Sequence, residues 1–430
     1  MKQFIFCLIT IFTFYSSQAQ WVQTSLDSFT VSTLVVNGAH LFAGTSGKWE
    51  MGNAEGIFLS TNNGEHWNAV NSGLPKYNYF YPSVGSLTID GVNIFAGTFE
   101  GIFLSTNNGT NWDSVNTGMT GKNVKTLALS GKNLFAGTWY DGIFLSTDNG
   151  KNWNAVNQGL PKNGYDSSLY FMANAIVFSG TNIFAGTPKG VFLSTNYGAN
   201  WDSMNTGLTN TYVKTLAVSD TVIFAGTEIG VFLSTNNGTT WNAVNTGLTD
   251  KVTAIAISGK NLFAGTGGMG VFGTDGNGIF LSTNHGNSWI DVNGEFTARL
   301  SVNCFAIIDT NLFVGTYDRG VWRRPLSEMI TDAKQLSSHL PQNYSLSQNY
   351  PNPFNPSTVI SYQLPVISKV TLKIYDLLGR EVTTLVNEEQ SAGKYNYELQ
   401  IRNYELASGV YFYRLHAGDF IETKKMLVIK

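Results

Sequence analysis

Short apolar segments separated by turn residues recur along most of the chain. Residues Val213 to Ser219 and Val222 to Thr227 are apolar or β-branched at most positions. Two further segments follow, Gly230 to Thr235 and Trp241 to Asn245, with Asn236 to Gly238 between them. Alternation of this kind, interrupted by Asn, Asp and Gly, predicts antiparallel strands joined by tight hairpins. We therefore expect four consecutive strands in this stretch.

The same four-segment pattern occurs in seven copies. A Leu-Phe-Ala-Gly-Thr string begins at Leu41, and its phenylalanine recurs with small changes around it at Phe42, Phe95, Phe135, Phe184, Phe224, Phe263 and Phe313. A second string runs from Gly56 to Trp67, and its tryptophan recurs at Trp112, Trp153, Trp201, Trp241 and Trp289. Four strands in a repeat of about 40 residues are typical of a β-propeller blade. The fold class is therefore predicted as all-β, with a seven-bladed β-propeller over residues 20–326.

The seventh copy lacks its fourth strand. Its second string starts at Gly320 and breaks off at Pro325, before any repeat tryptophan. The missing strand can come from Trp21 to Thr24, near the other end of the propeller. Closing a circular array in this way protects its strand edges. We expect the two ends of the propeller to share the seventh blade.

The turn after each third strand has a recurring polar pattern. Ser60, Asn62, Gly64 and Trp67 resemble the Asp-box, Ser-x-Asp-x-Gly-x-Thr-Trp, of sialidase-type propellers, with Asn in place of Asp in every copy except that of Asp148. In that family the box is a structural clamp. The resemblance implies that these side chains bond the backbone amides of their own hairpin and that tryptophan packs between sheets. The same structural role is expected of Trp112, Trp153, Trp201, Trp241 and Trp289.

The pattern changes after the seventh copy. Residues 327–344 contain no repeat and are predicted to form a linker. Strand-like segments then recur at 358–364, 370–375, 381–386, 395–399, 410–416 and 421–429. About 85 residues of short strands predict a small Ig-like β-sandwich over 345–430.

Four strings occur in order in this last segment: Tyr350 to Asn355, Asp376 to Val382, Leu406 to Phe412 and Thr423 to Met426. Together they resemble the type A C-terminal sorting domain of the type IX secretion system of Bacteroidetes-like bacteria. The resemblance implies passage through the outer membrane, with the secretion machinery as a partner. In that family the domain is usually removed, and the cargo is released or attached to the surface. The residues expected to belong to the sorting signal are Pro351, Pro353, Phe354, Gly379, Gly409, Lys424 and Lys425.

The N-terminal residues have the pattern of an export signal. Lys2 precedes an apolar run from Phe4 to Tyr15, and Ser17 and Ala19 are small residues placed for cleavage after Ala19. A signal peptide over 1–19 is therefore predicted. Together with the C-terminal segment, it predicts a protein that crosses the periplasm and is secreted or displayed on the outer cell surface.

Composition excludes several classes of function. Lys and Arg number 26 against 29 Asp and Glu, and the formal net charge of −3 gives no electrostatic basis for nucleic-acid binding. No apolar run is long enough for a membrane-spanning helix. Of the two cysteines, Cys7 lies in the predicted signal peptide, so the mature chain would have no internal disulfide. Cys304 is expected to be a small buried strand residue rather than a nucleophile.

The candidate binding surface follows from the order of the strands. Loops between second and third strands, and loops that join blades, share one face, and the long insertions all lie there. Function on loops of a rigid scaffold is the general expectation. Phe171 and Lys189 lie on this face, and the candidate ligand-binding residues there are Trp49, Tyr77, Tyr79, Tyr81, Glu100, Trp139, Tyr140, Asp141, Tyr165, Tyr170, Glu228, Tyr317, Asp318 and Arg319.

No catalytic residue, metal site or cofactor is predicted. Sialidase chemistry needs an arginine cluster, but the propeller's arginines all fall in the last unit: Arg299, Arg319, Arg323 and Arg324. The histidines show no metal-ligand spacing. We predict a non-catalytic propeller that binds a protein or a polysaccharide. The alternative is a glycoside hydrolase or lyase that uses the loop carboxylates Glu100, Asp141, Glu228 and Asp318.

Overall fold

The computed structural model describes residues 20–429, except 48–53, 77–78, 164–165, 167, 249, 268–275, 295, 297–299, 332–342, 366–367, 391–392 and 405. The candidate residues Trp49, Tyr77 and Tyr165 and the predicted signal peptide lie outside these described residues.

Strands dominate the described part of the chain before residue 326, where they form seven four-stranded antiparallel sheets. Strand β1 (Val22–Gln23) precedes the first complete sheet. Blades 1 and 2 contain β2 (Thr30–Asn37), β3 (His40–Ser46), β4 (Ile57–Ser60), β5 (Asn68–Ala69), β6 (Val84–Asp90), β7 (Asn93–Thr98), β8 (Gly101–Ser105) and β9 (Asp113–Ser114). Blades 3 and 4 contain β10 (Val124–Ser130), β11 (Asn133–Thr138), β12 (Ile143–Ser146), β13 (Asn154–Ala155), β14 (Ala175–Ser179), β15 (Asn182–Thr187), β16 (Gly190–Ser194) and β17 (Asp202–Ser203). Blades 5 to 7 contain β18 (Val213–Ser219), β19 (Val222–Thr227), β20 (Gly230–Ser234), β21 (Asn242–Ala243), β22 (Val252–Ser258), β23 (Asn261–Thr266), β24 (Ile279–Ser282), β25 (Ile290–Asp291), β26 (Val302–Ile308), β27 (Asn311–Thr316) and β28 (Val321–Pro325).

The seven sheets form a closed ring. The first strand of each blade lies against the first strand of the next, and β26 of blade 7 lies against β2 of blade 1. First strands therefore line the central axis and fourth strands lie at the rim. The predicted seven-bladed propeller is confirmed.

Strand β1 completes the seventh blade, as predicted. Val22 pairs with Arg323 and Gln23 with Trp322 of β28. The Nε1 of Trp21 donates a hydrogen bond to the carbonyl oxygen of Val292 in blade 6, at 3.0 Å. Trp289 makes the equivalent bond to blade 5, so Trp21 acts as the seventh repeat tryptophan.

Each repeat tryptophan links two neighbouring blades. The Nε1 of Trp112 donates to the carbonyl oxygen of Val70 in the preceding blade at 2.7 Å, and its backbone amide donates to Ser72. Gly73 lies against this contact with φ of 90°, and a Cβ there would be 2.1 Å from the Trp112 carbonyl oxygen. Only glycine therefore fits where the chain passes this closely to the tryptophan backbone.

The turns between third and fourth strands form the expected hydrogen bonds. The Oγ of Ser60 accepts a bond from the amide of Gly64 at 2.9 Å and donates to Oδ1 of Asn62. That Oδ1 also accepts the amide of His66, and Asn63 has a left-handed φ of 55°. The same serine-to-glycine bond forms in the turns of Ser105, Ser146, Ser194, Ser234 and Ser282.

Fourth strands are shorter than the sequence suggests. The predicted segment from Trp241 to Asn245 pairs only at Asn242–Ala243. The amide of Trp241 instead donates to Thr206 of the preceding blade, and Asn245 uses its Oδ1 to accept the amide of Val231. The ends of the segment therefore make inter-blade and capping bonds rather than ladder bonds.

Residues 326–331 form a short helix, α1, which begins at the last residue of the predicted propeller and continues into the predicted linker. Met329 on this helix is fully buried in one apolar cluster with Trp21 and Leu312 of the propeller. Because the helix is so short, its sequence shows no helical periodicity. The ordered chain thus continues past the last blade and covers the seam where the ring closes.

The remaining residues form a sandwich of two antiparallel sheets. The elements are β29 (Ser345–Leu346), β30 (Ser357–Leu364), β31 (Ser368–Tyr375), β32 (Glu381–Gln390), β33 (Gly393–Gln400), α2 (Ile401–Tyr404), β34 (Gly409–Ala417) and β35 (Phe420–Val428). One sheet has the order β29-β30-β33 and the other β32-β31-β34-β35. Both sheets contribute to a single core that includes Leu364, Leu372 and Tyr413.

The closure of the ring leads to a stability prediction. Replacing Trp21 with Ala should lower the free energy of unfolding by about 3–5 kcal/mol, because a buried tryptophan and its inter-blade bond are lost. Val22→Thr at the exposed neighbouring position is the control and should leave stability nearly unchanged. Denaturant unfolding measures both, and equal stability of the Trp21 variant and wild type would contradict the shared blade.

The one aspartate among the six turns should make a measurable contribution that depends on pH. Asp148 accepts bonds from the side chain and amide of Asn152 and from Ser146, and these bonds lower its pKa from 3.8 to about 2. Stability from this lowered pKa is present above pH of about 4 and is lost as pH falls towards 2. Asp148→Asn, which installs the residue of the other five turns, should therefore flatten the melting temperature against pH in this window. An unchanged slope in thermal unfolding between pH 4 and 2 would refute this assignment.

Candidate ligand-binding face

The two faces of the propeller are built differently. One face, here called the turn face, contains the turns that join first to second strands and the serine-locked turns. The other, here called the loop face, contains the loops between second and third strands and the connections between blades. The candidate ligand-binding residues that the structure describes all come from elements of the loop face.

Tyr79 and Tyr81 lie on the connection between blades 1 and 2. Tyr79 is 82% exposed. The amide of Tyr81 donates to the carbonyl oxygen of Ala54 at 3.1 Å, which joins this connection to the loop of blade 1. The Nζ of Lys76 lies 5.1 Å from the centre of the Tyr81 ring. Tyr81 therefore holds two loops together, whereas Tyr79 is free of such packing.

Blades 3 and 4 and the connection between them contribute a group of four aromatic rings, three of which lie close to a lysine. The rings of Trp139 and Tyr140 lie 6.2 Å apart, and the amide of Tyr170 donates to the carbonyl oxygen of Tyr140 at 2.7 Å. Phe171 follows Tyr170 in the chain. The bond therefore joins the connection between blades 3 and 4 to the loop of blade 3, and Tyr140 keeps 47% of its surface in solvent.

Lysine ammonium groups lie over these rings. The Nζ of Lys162 is 3.6 Å from the centre of the Tyr170 ring, and that of Lys189 is 4.9 Å from the Phe171 ring. The Nζ of Lys125 is 5.6 Å from the Trp139 ring. Such contacts are attractive because the ring face carries partial negative charge. We refer to the lysine–aromatic cluster as Lys125, Trp139, Tyr140, Lys162, Tyr170, Phe171, Lys189, Tyr212 and Lys214.

Lys214 extends the cluster to blade 5. Its side chain is only 8% exposed, and its Nζ lies 3.9 Å from Oε1 of Glu228 and 5.7 Å from the centre of the Tyr212 ring. Burial lowers the pKa of Lys214, Glu228 opposes that shift, and the positive charges of Lys251 and Lys125 add to it. A nearly buried ammonium group is thus held close to like charges.

Lys125 and Lys214 occupy the same position in the first strands of their blades. Both are bulged residues, at breaks in register between Val124 and Thr126 and between Val213 and Thr215. In blade 2 this position is Gly85, and in the other four blades it is polar and bonds to the next blade. Asn174, for example, donates to the carbonyl oxygen of Val213 at 2.8 Å. Equivalent bonds to a neighbouring blade are made by Ser32, Thr253 and Asn303.

Sequence reasoning missed these two lysines. The signal was present, because the string Val-Lys-Thr-Leu begins at both Val124 and Val213. In a strand of alternating pattern, such a lysine is expected to face solvent. Only closure of the ring places this position next to the axis and the loop face.

The candidate carboxylates come from different blades. Glu100, Asp141, Glu228 and Asp318 belong to blades 2, 3, 5 and 7. Glu228 faces Lys214, and Asp318 lies 3.8 Å from Nε of Arg319. The amide of Tyr317 donates to the carbonyl oxygen of Ser301, which anchors that loop to the preceding connection.

Other chemistry is limited in the described residues. Within them, no three His, Cys, Asp or Glu side chains lie together as metal ligands would. Burial raises the pKa of the Cys304 thiol, which packs in the apolar cluster between blades 7 and 1. Among the described helices, none is both long and apolar enough to cross a membrane.

The sorting-signal residues form parts of the C-terminal sandwich. Phe354 is buried, and its amide donates to the carbonyl oxygen of Leu427 at 3.0 Å. Gly379 has φ of 78° in the turn whose amides Asp376 accepts. Gly409 begins β34, Lys424 pairs with Glu422 at 2.8 Å, and the carbonyl oxygen of Lys425 accepts a bond from Gln348. Pro351 and Pro353 each follow a cis peptide bond.

Residues 348–430 match the family model of the secretion system C-terminal sorting domain. This segment is a type IX sorting domain. It marks the protein for export to the outer surface or for secretion, and it implies contact with the secretion machinery. No curated protein matches the sequence.

Solved structures similar to the chain include several β-propellers. YCF48 bound to D1 peptide is 12% identical, with a TM-score of 0.54, and the match covers 72% of this chain and 97% of that one. PorZ, described as an essential surface component of the type IX secretion system of Porphyromonas gingivalis, is 16% identical with a TM-score of 0.50, over 95% of this chain and 60% of PorZ. A GH74 xyloglucanase from Xanthomonas campestris is 13% identical with a TM-score of 0.54, over 80% of this chain and 59% of the enzyme. At these identities the likeness shows the fold alone.

Proposed function

We propose that this protein is an exported, non-catalytic propeller that binds an extracellular protein or polysaccharide through the lysine–aromatic cluster. The observation that supports this most is the distribution of the lysine–ring contacts. All five that the structure describes in the propeller lie on the loop face: Lys76 with Tyr81, Lys125 with Trp139, Lys162 with Tyr170, Lys189 with Phe171 and Lys214 with Tyr212.

The chemistry of the cluster suits recognition. Aromatic rings that keep part of their surface in solvent offer a large apolar contact area at low entropic cost. The lysines add charge, and the backbone bond between Tyr170 and Tyr140 fixes the loops before a ligand arrives. Preorganisation of this kind reduces the entropy lost on binding.

A binding role fits the carboxylates better than a hydrolytic one. Glycoside hydrolysis needs two carboxyl groups that flank one bond. Here Glu228 and Asp318 each face a cation, and neither shares a blade with Glu100 or Asp141. The fold likeness to a xyloglucanase supplies no catalytic pair.

The domain boundaries proposed for the exported form are 20–326 for the propeller and 345–430 for the sorting domain. Cleavage after Ala19 would leave Trp21 close to the new N-terminus. This arrangement favours closure of the ring, because β1 can then pair with β28 without a chain segment before it at the rim of the propeller.

Loss of the half-buried Trp139 ring from the cluster should weaken binding. Arrays of polysaccharides and extracellular proteins probed with the purified chain should give at least one ligand whose affinity falls about 10-fold or more in Trp139→Ala. The matched control is Tyr197→Asn, because Tyr197 is an exposed ring on the turn face and other copies carry Asn at that position. Equal loss in both variants, or cleavage of a ligand that Glu100→Gln or Asp141→Asn abolishes, would contradict the proposal.

The sorting domain should be both necessary and sufficient for the last step of export. A chain that lacks 345–430 should accumulate in the periplasm, and a periplasmic reporter fused to 345–430 should reach the surface or the medium. Cell fractionation with antibody detection measures both. Normal surface delivery of the truncated chain would show that another segment directs export.

A further inference from the structure

The chain contains eight asparagines that are each followed by glycine: Asn37, Asn63, Asn108, Asn149, Asn163, Asn237, Asn277 and Asn293. Such a pair can lose ammonia without an enzyme, because glycine has no side chain to shield its amide nitrogen. That nitrogen attacks Cγ of the asparagine, the Cγ–Nδ2 bond breaks, and the amide proton leaves with Nδ2 as ammonia. Water then opens the cyclic imide to aspartate or isoaspartate. The reaction therefore needs a glycine amide that can give up its proton and an asparagine side chain that is free to approach it.

Four of these pairs lie in the serine-locked turns, where the glycine amide is held. The Oγ of Ser105 accepts the amide of Gly109, which follows Asn108, at 2.8 Å. The same bond forms at the glycines that follow Asn63, Asn149 and Asn237. These glycines are buried against the preceding blade, and a Cβ at Gly109 would lie 3.1 Å from Cγ2 of Val70. Because a hydrogen-bonded amide exchanges its proton with water only after local opening, these four amides are poorly placed to react.

Two further pairs are held by contacts of blade 6. The amide of the glycine after Asn277 donates to the carbonyl oxygen of Leu300 at 3.1 Å. At Asn293 the side chain itself is fixed, because its Oδ1 accepts the amide of Ile279 and its Nδ2 donates to the carbonyl oxygen of Asn277, both at 2.7 Å. A side chain held at both ends of its amide group is not free to turn towards the glycine nitrogen. The glycine after Asn163 lies outside the described residues.

Asn37 differs from the six held pairs. It is the last residue of β2 and pairs with His40, so Gly38 begins the turn to β3. Gly38 is exposed with φ of 58°, and a Cβ there would meet no atom within 4 Å. Among the described residues, no group bonds to the amide of Gly38 or to the side chain of Asn37. This turn therefore leaves the amide proton open to water and leaves room for the imide ring to close.

We propose that Asn37 is a site of spontaneous deamidation in the exported protein, and that the serine of each Asn-Gly turn protects the asparagine beside it from the same reaction. Conversion of Asn37 adds a carboxylate to the first hairpin of blade 1, on the turn face. The serine thereby has a chemical role in addition to its structural one. This inference is independent of the proposed binding function.

Incubation of the folded full chain in mildly alkaline buffer, followed by trypsin digestion and mass spectrometry, tests the site. Trypsin cuts after Lys and Arg, so Asn37 is the only asparagine on the peptide that ends at Lys48. Relative to unincubated protein, Asn37 should convert about 10-fold faster than the asparagines of the four serine-locked turns, because their amides react only after opening. In guanidinium chloride, where the fold is lost, all five should convert at similar rates.

The matched variant is Asn37→Ser, since serine occupies this strand position in four other blades: Ser130, Ser179, Ser219 and Ser258. It should remove the mass change from the peptide that ends at Lys48 and leave the melting temperature unchanged. If Asn37 converts in the folded chain as slowly as the four turn asparagines do, the proposed site is wrong.

Ser105→Ala tests the protective bond. It should raise the conversion of Asn108 about 5-fold, which is the weight of one neutral hydrogen bond, and leave Asn149 unchanged. The control is Ser194→Ala, which removes the same bond from the turn of Tyr197, where the glycine does not follow an asparagine. An unchanged rate at Asn108 in Ser105→Ala would overturn the protective role. An equal rise at Asn108 in Ser194→Ala would overturn it too, because general loosening of the propeller would then be the cause.

Discussion

The closure of the propeller depends on the pairing of β1 with β28, because an unpaired β28 would leave an exposed strand edge in blade 7. Three contacts meet at that place: the ladder between Val22 and Arg323, the bond from Trp21 to Val292 of blade 6, and the bond from Nε1 of Trp67 to the hydroxyl of Thr24. The last two make blade 7 equivalent to the others in both directions around the ring. No disulfide reinforces the described residues, so closure by burial and hydrogen bonding must hold the ends together.

Closure also divides the molecule into a structural face and a variable one. On the turn face, the serine and asparagine side chains accept hydrogen bonds from backbone amides of their own hairpins, as Ser60 and Asn62 do. Their hydrogen-bonding capacity is therefore largely satisfied within the fold. On the loop face, rings and ammonium groups are held in place by each other and by backbone bonds between loops, and their exposure ranges from 8% for the Lys214 side chain to 47% for Tyr140. The hydrogen-bonded turns of the turn face thus form a rigid scaffold, and the loops of the opposite face can carry functional side chains.

The fold could be predicted well from the sequence because each blade contains nearly the same pattern of residues. Gly, Ser and Trp recur at fixed spacing within the second string, and the fragment missing from blade 7 is present at Trp21 to Thr24. Features that depend on neighbouring blades were less accessible. The fourth strand is short because Trp241 bonds to the preceding blade, and α1 orders around Met329 only because the closed seam offers an apolar surface. Lys125 and Lys214 were missed for the same reason, since their environment is created by the ring and not by their own strands.

Lys214 shows why such positions are informative about ligands. An ammonium group with 8% of its side chain exposed loses hydration, and a contact of 3.9 Å with Glu228 is too long for a strong charged hydrogen bond. Ser32 and Thr253 occupy the same strand position in other blades. Their small polar side chains bond to the next blade without burying a charge. A structural role at the blade seam therefore explains the polar residue at this position but not the lysine. The lysine instead extends from the blade seam to the loop face, where its contacts with Glu228 and Tyr212 lie, so its role concerns that face rather than the seam.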